Sequence, residues 1–400
     1  MAVSKSTRQA RNRFFAVFVL SLLSVLAAGC SRGNQPICIT VSNPTGLIRN
    51  DEGISIPLGK LPSSVRRNGM ALRDSAGRDI PFQIDDLDGD GRPDELFFEV
   101  SLGPYESISC LCYPGEMSRH AFLKRADAHL LNQVVPGLQG AVWESEWLAY
   151  ACFDAQSLNV YGKTNPALLG AKTIFMRGKV GTAPVASNYL RPGAGMGAGS
   201  VFLNCGPGSA GNERPFDNQA QTTYGLVASG PLRGIVDLSI KNWQTQAGNV
   251  ELSERIEIDA GQRFLKVEFH AVHWPDNSIP LKFGAGITSL PGQERLQLFD
   301  NRLVLTSQGS VIVEDPAKPV SAFLASALIF RPRDFIESPP GVDTIGDHLV
   351  YLRKPDFPVL VYYLHAWDRD GRFTSAAEWQ GYTAELAERM NNPLEYWVSH

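Results

Sequence analysis

Several stretches of the chain place chemically competent side chains at telling intervals. The segment Asp86-Leu87-Asp88-Gly89-Asp90-Gly91-Arg92-Pro93-Asp94-Glu95 sets carboxylates at its first, third, fifth and ninth positions. Gly91 permits the reversal and Arg92 offers a carbonyl, so the donors are the hard oxygens that Ca2+ takes. An acid at the twelfth position is missing and strands flank the loop, which departs from an EF-hand. Two readings stand: a structural Ca2+ site held by Asp86, Asp88, Asp90, Arg92 and Asp94, or an acidic turn closed by Asp side chains. A second stretch, Phe264-Leu265-Lys266-Val267-Glu268-Phe269-His270-Ala271, alternates with period two. Leu265, Val267, Phe269 and Ala271 form a core face, and Lys266, Glu268 and His270 line the other. That second face is either solvated or the floor of a groove where acid–base chemistry is possible.

Polar and aromatic groups elsewhere alternate in the same way. Arg233, Asp237 and Ser239 oppose an apolar face, as do Ser253, Arg255 and Glu257, and Tyr363, His365 and Trp367 recur late in the chain. With Trp143, Glu144, Glu146, Trp147 and Tyr189 they supply ring platforms and charged hydrogen-bonding groups suited to a sugar or a uronate. No Gly-x-Ser-x-Gly elbow follows a strand, so serine hydrolysis has little support. No Cys-x-x-Cys or Cys/His cluster suggests zinc.

The elements that must position these groups are strands. Between residues 36 and 113 at least five short strands are separated by turns, the density of a small β-sandwich. Residues 114–135 read as a linker. From about Ala141 a dozen or more strands follow without intervening helices, which excludes a βαβ plan and predicts a large antiparallel sandwich or barrel. One helix closes the chain: Ser375 and Glu378 form a capping box, Trp379, Tyr382, Leu386 and Met390 make an apolar stripe, and Asn391-Asn392-Pro393 stops it. The glycine-rich segment Gly193 to Gly199 lacks a strand-then-helix setting, so it reads as a long loop over a sheet face rather than a phosphate loop.

Residues 1–29 read as a leader. Lys5, Arg8, Arg11 and Arg13 precede an apolar run from Phe14 to Ala28, too short for a comfortable membrane helix. Leu26-Ala27-Ala28-Gly29-Cys30 then matches a lipoprotein signal with acylation at Cys30, against the alternative of a plain signal peptide. Ser31 after the cysteine suits an outer-membrane destination, on the periplasmic face or the cell surface, with no transmembrane helix in the mature protein. Without the leader, 33 basic residues face 41 acidic ones, a formal charge of −8. Such a body has no bulk electrostatic reason to bind nucleic acid. The 44% hydrophobic and 20% charged content excludes a mainly disordered or polytopic membrane chain. Cys38, Cys110, Cys112, Cys152 and Cys205 leave room for one or two disulfides.

From about Ile37 to Trp397 the pattern resembles DUF4861, a family of secreted bacterial proteins. The resemblance is carried by Ser42-Asn43-Pro44, Asp85 to Gly91 with Asp94-Glu95-Leu96, Gly193 to Gly199, and Ser229-Gly230-Pro231-Leu232-Arg233. Asp259-Ala260-Gly261, Gly284-Ala285-Gly286-Ile287, Ala366-Trp367-Asp368 and Asn392-Pro393-Leu394 complete it. It implies a small β-sandwich at 30–115, a galactose-mutarotase-like β-supersandwich at 116–400, and a setting among proteins that degrade pectin, alginate and related uronate polysaccharides. The family's acidic, histidine-containing approach to the glycine-rich loop is replaced here by Ser187-Asn188-Tyr189-Leu190-Arg191.

Together these readings point to a carbohydrate-active protein on uronate glycans. The reaction expected first is β-elimination, with Arg233 or Lys266 neutralising the carboxylate and His270 as base. Tyr189 would return a proton, Glu268 would orient, and His365 is the reserve base. A non-catalytic surface glycan-binding protein, or a sugar hydrolase or epimerase, is the alternative.

Overall fold

A computed structural model describes residues 35–399, apart from 64, 66–68, 117–121, 154–157, 172–173, 175–178, 181–182, 185, 191–194, 207–211, 216–219, 277–278, 293, 314–319, 340 and 344–345. The leader and Cys30 lie outside the described residues. Among those described, no helix is long and apolar enough to cross a membrane. Pro36–His400 form one compact unit.

The fold is all-β, a small sandwich followed by a large antiparallel supersandwich with a C-terminal helix, as the alternation and the family resemblance together imply. The small sandwich pairs a four-stranded sheet, in the order Glu395–Ser399, Ile37–Ser42, Ser107–Pro114, Met70–Arg73, with a three-stranded sheet of Arg49–Pro57, Glu95–Leu102 and Phe82–Asp85. Ile39, Val41, Ile56, Leu72, Leu96, Phe98 and Cys112 fill the space between them. Its edge strand Glu395–Ser399 comes from the far end of the chain and pairs with Ile37–Ser42. Sequence reading missed this strand, because only a partner some 350 residues away defines it.

The large unit is built on an eight-stranded antiparallel sheet in the order Gln221–Ser229, Arg233–Thr245, Gly248–Asp259, Phe264–His273, Val359–Trp367, Val320–Phe330, Arg302–Val313, Glu294–Phe299. Two five-stranded sheets share a core with its inner face, where Trp143, Val236, Leu252, Leu265, Val267, Phe269 and Tyr363 are buried. The segment expected to be a linker contains a strand, Ala126–Leu130, paired with Gly140–Ser145.

Gly195 to Gly199 is irregular, buried chain that meets the inner face of the eight-stranded sheet at Tyr363. The Met196 amide donates to Asp347 Oδ2 and the Ala198 amide to the Leu158 carbonyl. Gly199 has φ +150 and lies so near the Tyr363 ring that a Cβ there would collide with it. The five described cysteines are all free.

Part of the outer face of the eight-stranded sheet is covered, and part, including Glu268 and His270, is exposed. The helix Ala376–Asn391 begins at Ser375, whose hydroxyl accepts the Glu378 amide, and lays Trp379, Leu386 and Ala387 over Ala325, Ala327, Ile329, Leu364 and Ala366. Small alanines on the strands leave room for the indole. Further along the same face the small sandwich docks, and between the two covers a space remains.

Candidate functional site

The register of adjacent strands brings a row of polar side chains together on the outer face. Arg233 stands opposite Asp259, Glu257 opposite Lys266, and Lys266 opposite Tyr362. Glu257 and Asp259 are two apart on one strand and so share a face. Over them the small sandwich sets Glu52, Gly53, Ser55 and Phe97, and the helix sets Leu386, Arg389 and Met390; the open cavity between them measures about 240 Å3. Gly53 is needed because a Cβ there would run into the Phe97 ring.

Two cations and several carboxylates decide the electrostatics. The buried Arg233 guanidinium donates from Nε to Asp85 Oδ2 at 2.7 Å, from Nη2 to Glu95 Oε1 at 2.7 Å and from Nη1 to Ser55 Oγ at 3.2 Å. It lies 4.5 Å from the Phe97 ring centre and 3.8 Å from Glu257. Burial opposes its charge, but Glu257, Asp85, Asp259 and Glu95 outweigh that and hold it protonated. Lys266 Nζ donates to Glu257 Oε2 at 3.0 Å, and the Glu257 charge, against burial, raises its pKa.

Burial first, and then the neighbouring Glu257 charge, pushes the Asp259 carboxyl up to about 8, in spite of Lys266 and Arg233. Burial presses Glu257 in the same direction, but Lys266 and Arg233 overcome it and hold Glu257 below the usual carboxylate range. Glu257 and Asp259 sit close enough on this face for each charge to act on the other. At neutral pH the pair therefore holds one proton between its two carboxyls, because two adjacent buried carboxylates resist ionising together. Asp259 Oδ1 has no partner although it is shut away from solvent. Tyr362, raised chiefly by burial, stays a neutral phenol. This centre can give a proton, take one, and meet an anion with a lysine.

The residues singled out from sequence do not all meet here. Lys266 lines the cavity. Arg233 borders it, but its donors are spent on Asp85, Glu95 and Ser55, so it is a rivet between the sandwich and the sheet rather than an open clamp. Glu268 and His270 lie on the same outer face and are exposed, two and four residues beyond Lys266. At strand rise His270 is about 13 Å from Lys266. His365 is on the inner face, fully buried, with Nδ1 3.2 Å from the Tyr150 hydroxyl. Burial pushes it down to about 3, so it stays neutral and sealed from any cleft. Tyr189 belongs to strand Ala186–Leu190, and its side chain lies outside the described residues. The single cleft expected for Arg233, Tyr189, His270 and His365 is thus corrected for His365 and His270.

The other sugar-platform candidates are structural. Trp143 is buried and donates to the Ile256 carbonyl, Glu144 accepts from the buried Lys163 at 2.7 Å, and Glu146 accepts from Arg125. Sequence reasoning missed Asp259, Tyr362 and Arg389 as site residues. The available signal was the alternation Arg255, Glu257, Asp259, which continues two residues past where it was read.

The acidic loop gathers Asp86, Asp88 and Asp94, whose nearest oxygens lie within 4.8 Å of one another. Asp86 accepts the Gly89 and Gly91 amides at 2.8 and 2.7 Å, and Asp94 accepts the Leu87 amide at 2.7 Å. Asp90 turns to the Arg92 amide at 2.8 Å and stands outside the cluster. Gly89 and Gly91 take φ of +75 and +84, conformations that favour glycine. Three oxygen-donor groups at this spacing fit a hard cation.

Comparison with known proteins places this architecture. Residues 41–395 match the model described as Domain of unknown function (DUF4861). "Uncharacterized protein P7" of Formosa agariphila is 22% identical over 414 residues, covering 95% of this chain and 98% of its own. Among solved structures, a protein in the Glycosyl Hydrolase Family 38 from Enterococcus faecalis matches with TM-score 0.51 at 11% identity, over 91% of this chain. An alpha-mannosidase from Enterococcus faecalis V583 matches with TM-score 0.50 at 11% identity, again over 91% of this chain. The chain spans 47% and 46% of those two structures, so the likeness is one of fold over less than half of each.

The shared proton has a consequence for stability. Asp259 has a folded-state pKa near 8 against an ordinary 3.8. The folded chain keeps a proton that the unfolded chain has released, so the contribution is full below about pH 4 and is lost as pH rises toward 8. The slope is at most about 1.4 kcal/mol per pH unit for one proton. Glu257 acts in the opposite sense, but below its ordinary 4.5. Asp259→Asn removes the titration, so its melting temperature relative to wild type should climb between about pH 5 and pH 8. A difference that stays flat over that range contradicts the shared proton.

Proposed function

The chain belongs to the DUF4861 family, and from that premise we propose that it is a carbohydrate-active protein whose reacting centre is the cavity between the small sandwich, the outer sheet face and the helix. The observation that carries this reading is the proton-sharing Asp259–Glu257 pair beside Lys266 in that cavity. The fold likeness to a glycosyl hydrolase family 38 protein supports the carbohydrate class.

The arrangement suits β-elimination on a uronate. Lys266 turns from Glu257 to the sugar carboxylate, which acidifies the C5 proton and, by the same movement, relieves Glu257 of a cation and makes it a stronger base. Glu257 takes the C5 proton, the electron pair closes the C4–C5 double bond, and the C4–oxygen bond breaks. Asp259 gives its proton to the departing oxygen. The proton on Glu257 then passes to the neighbouring Asp259 carboxylate, and the centre is reset. Tyr362 donates to a sugar hydroxyl, Phe264 offers an apolar ring face, and Glu268 and His270 meet the glycan beyond the reacting sugar.

The same proposal keeps residues 30–115 and 116–400 as the two domains, with Ca2+ in the acidic loop as a structural ion and acylated Cys30 as an outer-membrane anchor. Arg255 Nη2 donates to the Leu87 carbonyl at 2.8 Å, so an ion fixing the loop would also brace the sandwich against the sheet.

Three outcomes test this. On a panel of pectin- and alginate-type oligosaccharides, wild type should release products with the ultraviolet absorbance of an unsaturated uronate. Asp259→Asn and Lys266→Met should each lower kcat by about 100-fold or more; glycan binding without turnover across the panel would instead establish the non-catalytic alternative. Ca2+ at about 100 times its Kd should stabilise the chelator-treated protein by about 2.7 kcal/mol, and Asp88→Ala should abolish the gain. Identical melting with and without Ca2+ leaves only an acidic turn. Mass spectrometry of the mature N-terminus should find acyl-modified Cys30, and an unmodified start at any other residue sinks the anchor.

A further inference from the structure

At the C-terminal end of the helix three arginines converge on a second cavity, of about 320 Å3, lined also by Asn301, Asn391 and Met390. Arg302 opens one strand of the large sheet, and Arg331 directly follows the neighbouring strand, whose Phe330 pairs with Leu303. Arg333 sits in the 3-10 turn Pro332–Asp334. The hairpin register therefore gathers cations that lie some 30 residues apart in sequence.

Arg302 is only 7% exposed. Its Nη1 donates to the Asn301 carbonyl at 3.1 Å and its Nη2 to the Met390 carbonyl at 3.0 Å, yet its Nε is buried without a partner. Asp334 is the nearby acid, and it is already held by Arg353 at 2.5 Å, with Arg333 no closer than 3.9 Å. Among the described residues Arg331 has no carboxylate partner. Part of this positive charge faces the negative end of the helix dipole, equivalent to about half an elementary charge. One capping arginine answers that need; three exceed it. Leaving like charges together around a buried, unpaired guanidinium nitrogen is costly unless an anion completes the set.

We propose that this pocket binds a sulfate- or phosphate-type oxyanion, free or carried on a larger molecule. Guanidinium forks match tetrahedral oxyanions bidentately, and the Asn301 amide adds a neutral donor, whereas Asn391 Nδ2 already donates to the Phe299 carbonyl at 3.0 Å. The cavity holds about ten times the roughly 30 Å3 share of one water, which leaves room for a sugar-sized body behind the anion. The pocket and the acid-pair cavity share only the Met390 wall, so this inference stands or falls apart from the elimination reading.

Calorimetric and thermal-shift titrations of the full mature chain at fixed ionic strength test it, with sodium sulfate, sodium phosphate, glucose 6-sulfate and glucose 6-phosphate as probes. Wild type should bind, and the surface double variant Arg331→Ala/Arg333→Ala should fold normally and bind at least tenfold more weakly. Arg302→Lys, which keeps the charge but loses the fork, should also weaken binding. Tighter binding of the sugar esters than of the inorganic ions identifies a carried anion, and equal binding identifies a free one. Equal affinity in wild type and the double variant, or no response to any of the four probes, overturns the proposal.

Discussion

Arg233 is the interaction on which the functional geometry rests. One guanidinium reaches from the eight-stranded sheet into the small sandwich and holds Asp85, Glu95 and Ser55 there, with Phe97 packed on its face. A buried cation of this kind cannot be left half-satisfied, since removing one partner strands an uncompensated charge at a cost of about 3–5 kcal/mol. The requirement fixes where the sandwich sits. Gln83 adds to it by accepting the Leu232 and Arg233 amides at 2.9 and 3.1 Å. The acidic loop between Asp85 and Glu95 is consequently pinned at both ends by residues that bind the large sheet.

The cavity follows from that docking. The sandwich covers one part of the outer face and the helix another, and the strip between them is the strip that carries Glu257, Asp259, Lys266 and Tyr362. Acidic groups crowd this region: Glu99, on the sandwich side, is pushed up to about 9 by burial first, with Asp259 and Asp51 adding to it against Arg125. Carboxylates outnumber the cations that can reach them, so some must hold protons at neutral pH. A proton held by necessity at a cavity wall is what general acid catalysis uses.

Much of the fold is legible in the sequence because strand alternation is local. Leu265, Val267 and Phe269 turn inward as their spacing predicts, and Ser375 caps the helix that Trp379 and Leu386 dock. Strands that depend on remote partners are not legible in this way: Glu395–Ser399 exists because Ile37–Ser42 needs an edge. The site is divided likewise. The outer polar face was readable, and Lys266 with it. Which part of that face would be covered was not, because it depends on contacts such as those of Arg233 with Asp85 and Glu95, far apart in the chain. Alternation also places Tyr363, His365 and Trp367 on a common face, but only the sheet partners reveal that this face is the sealed interior.

The central claim is that a uronate sugar reacts in the cavity under the small sandwich. A crystal structure of Asp259→Asn with a bound oligouronate tests it most directly. A sugar carboxylate is expected within hydrogen-bonding distance of Lys266 Nζ, with C5 facing Glu257. A glycan lying instead along the exposed strand around His270, with the cavity filled by water alone, would contradict it.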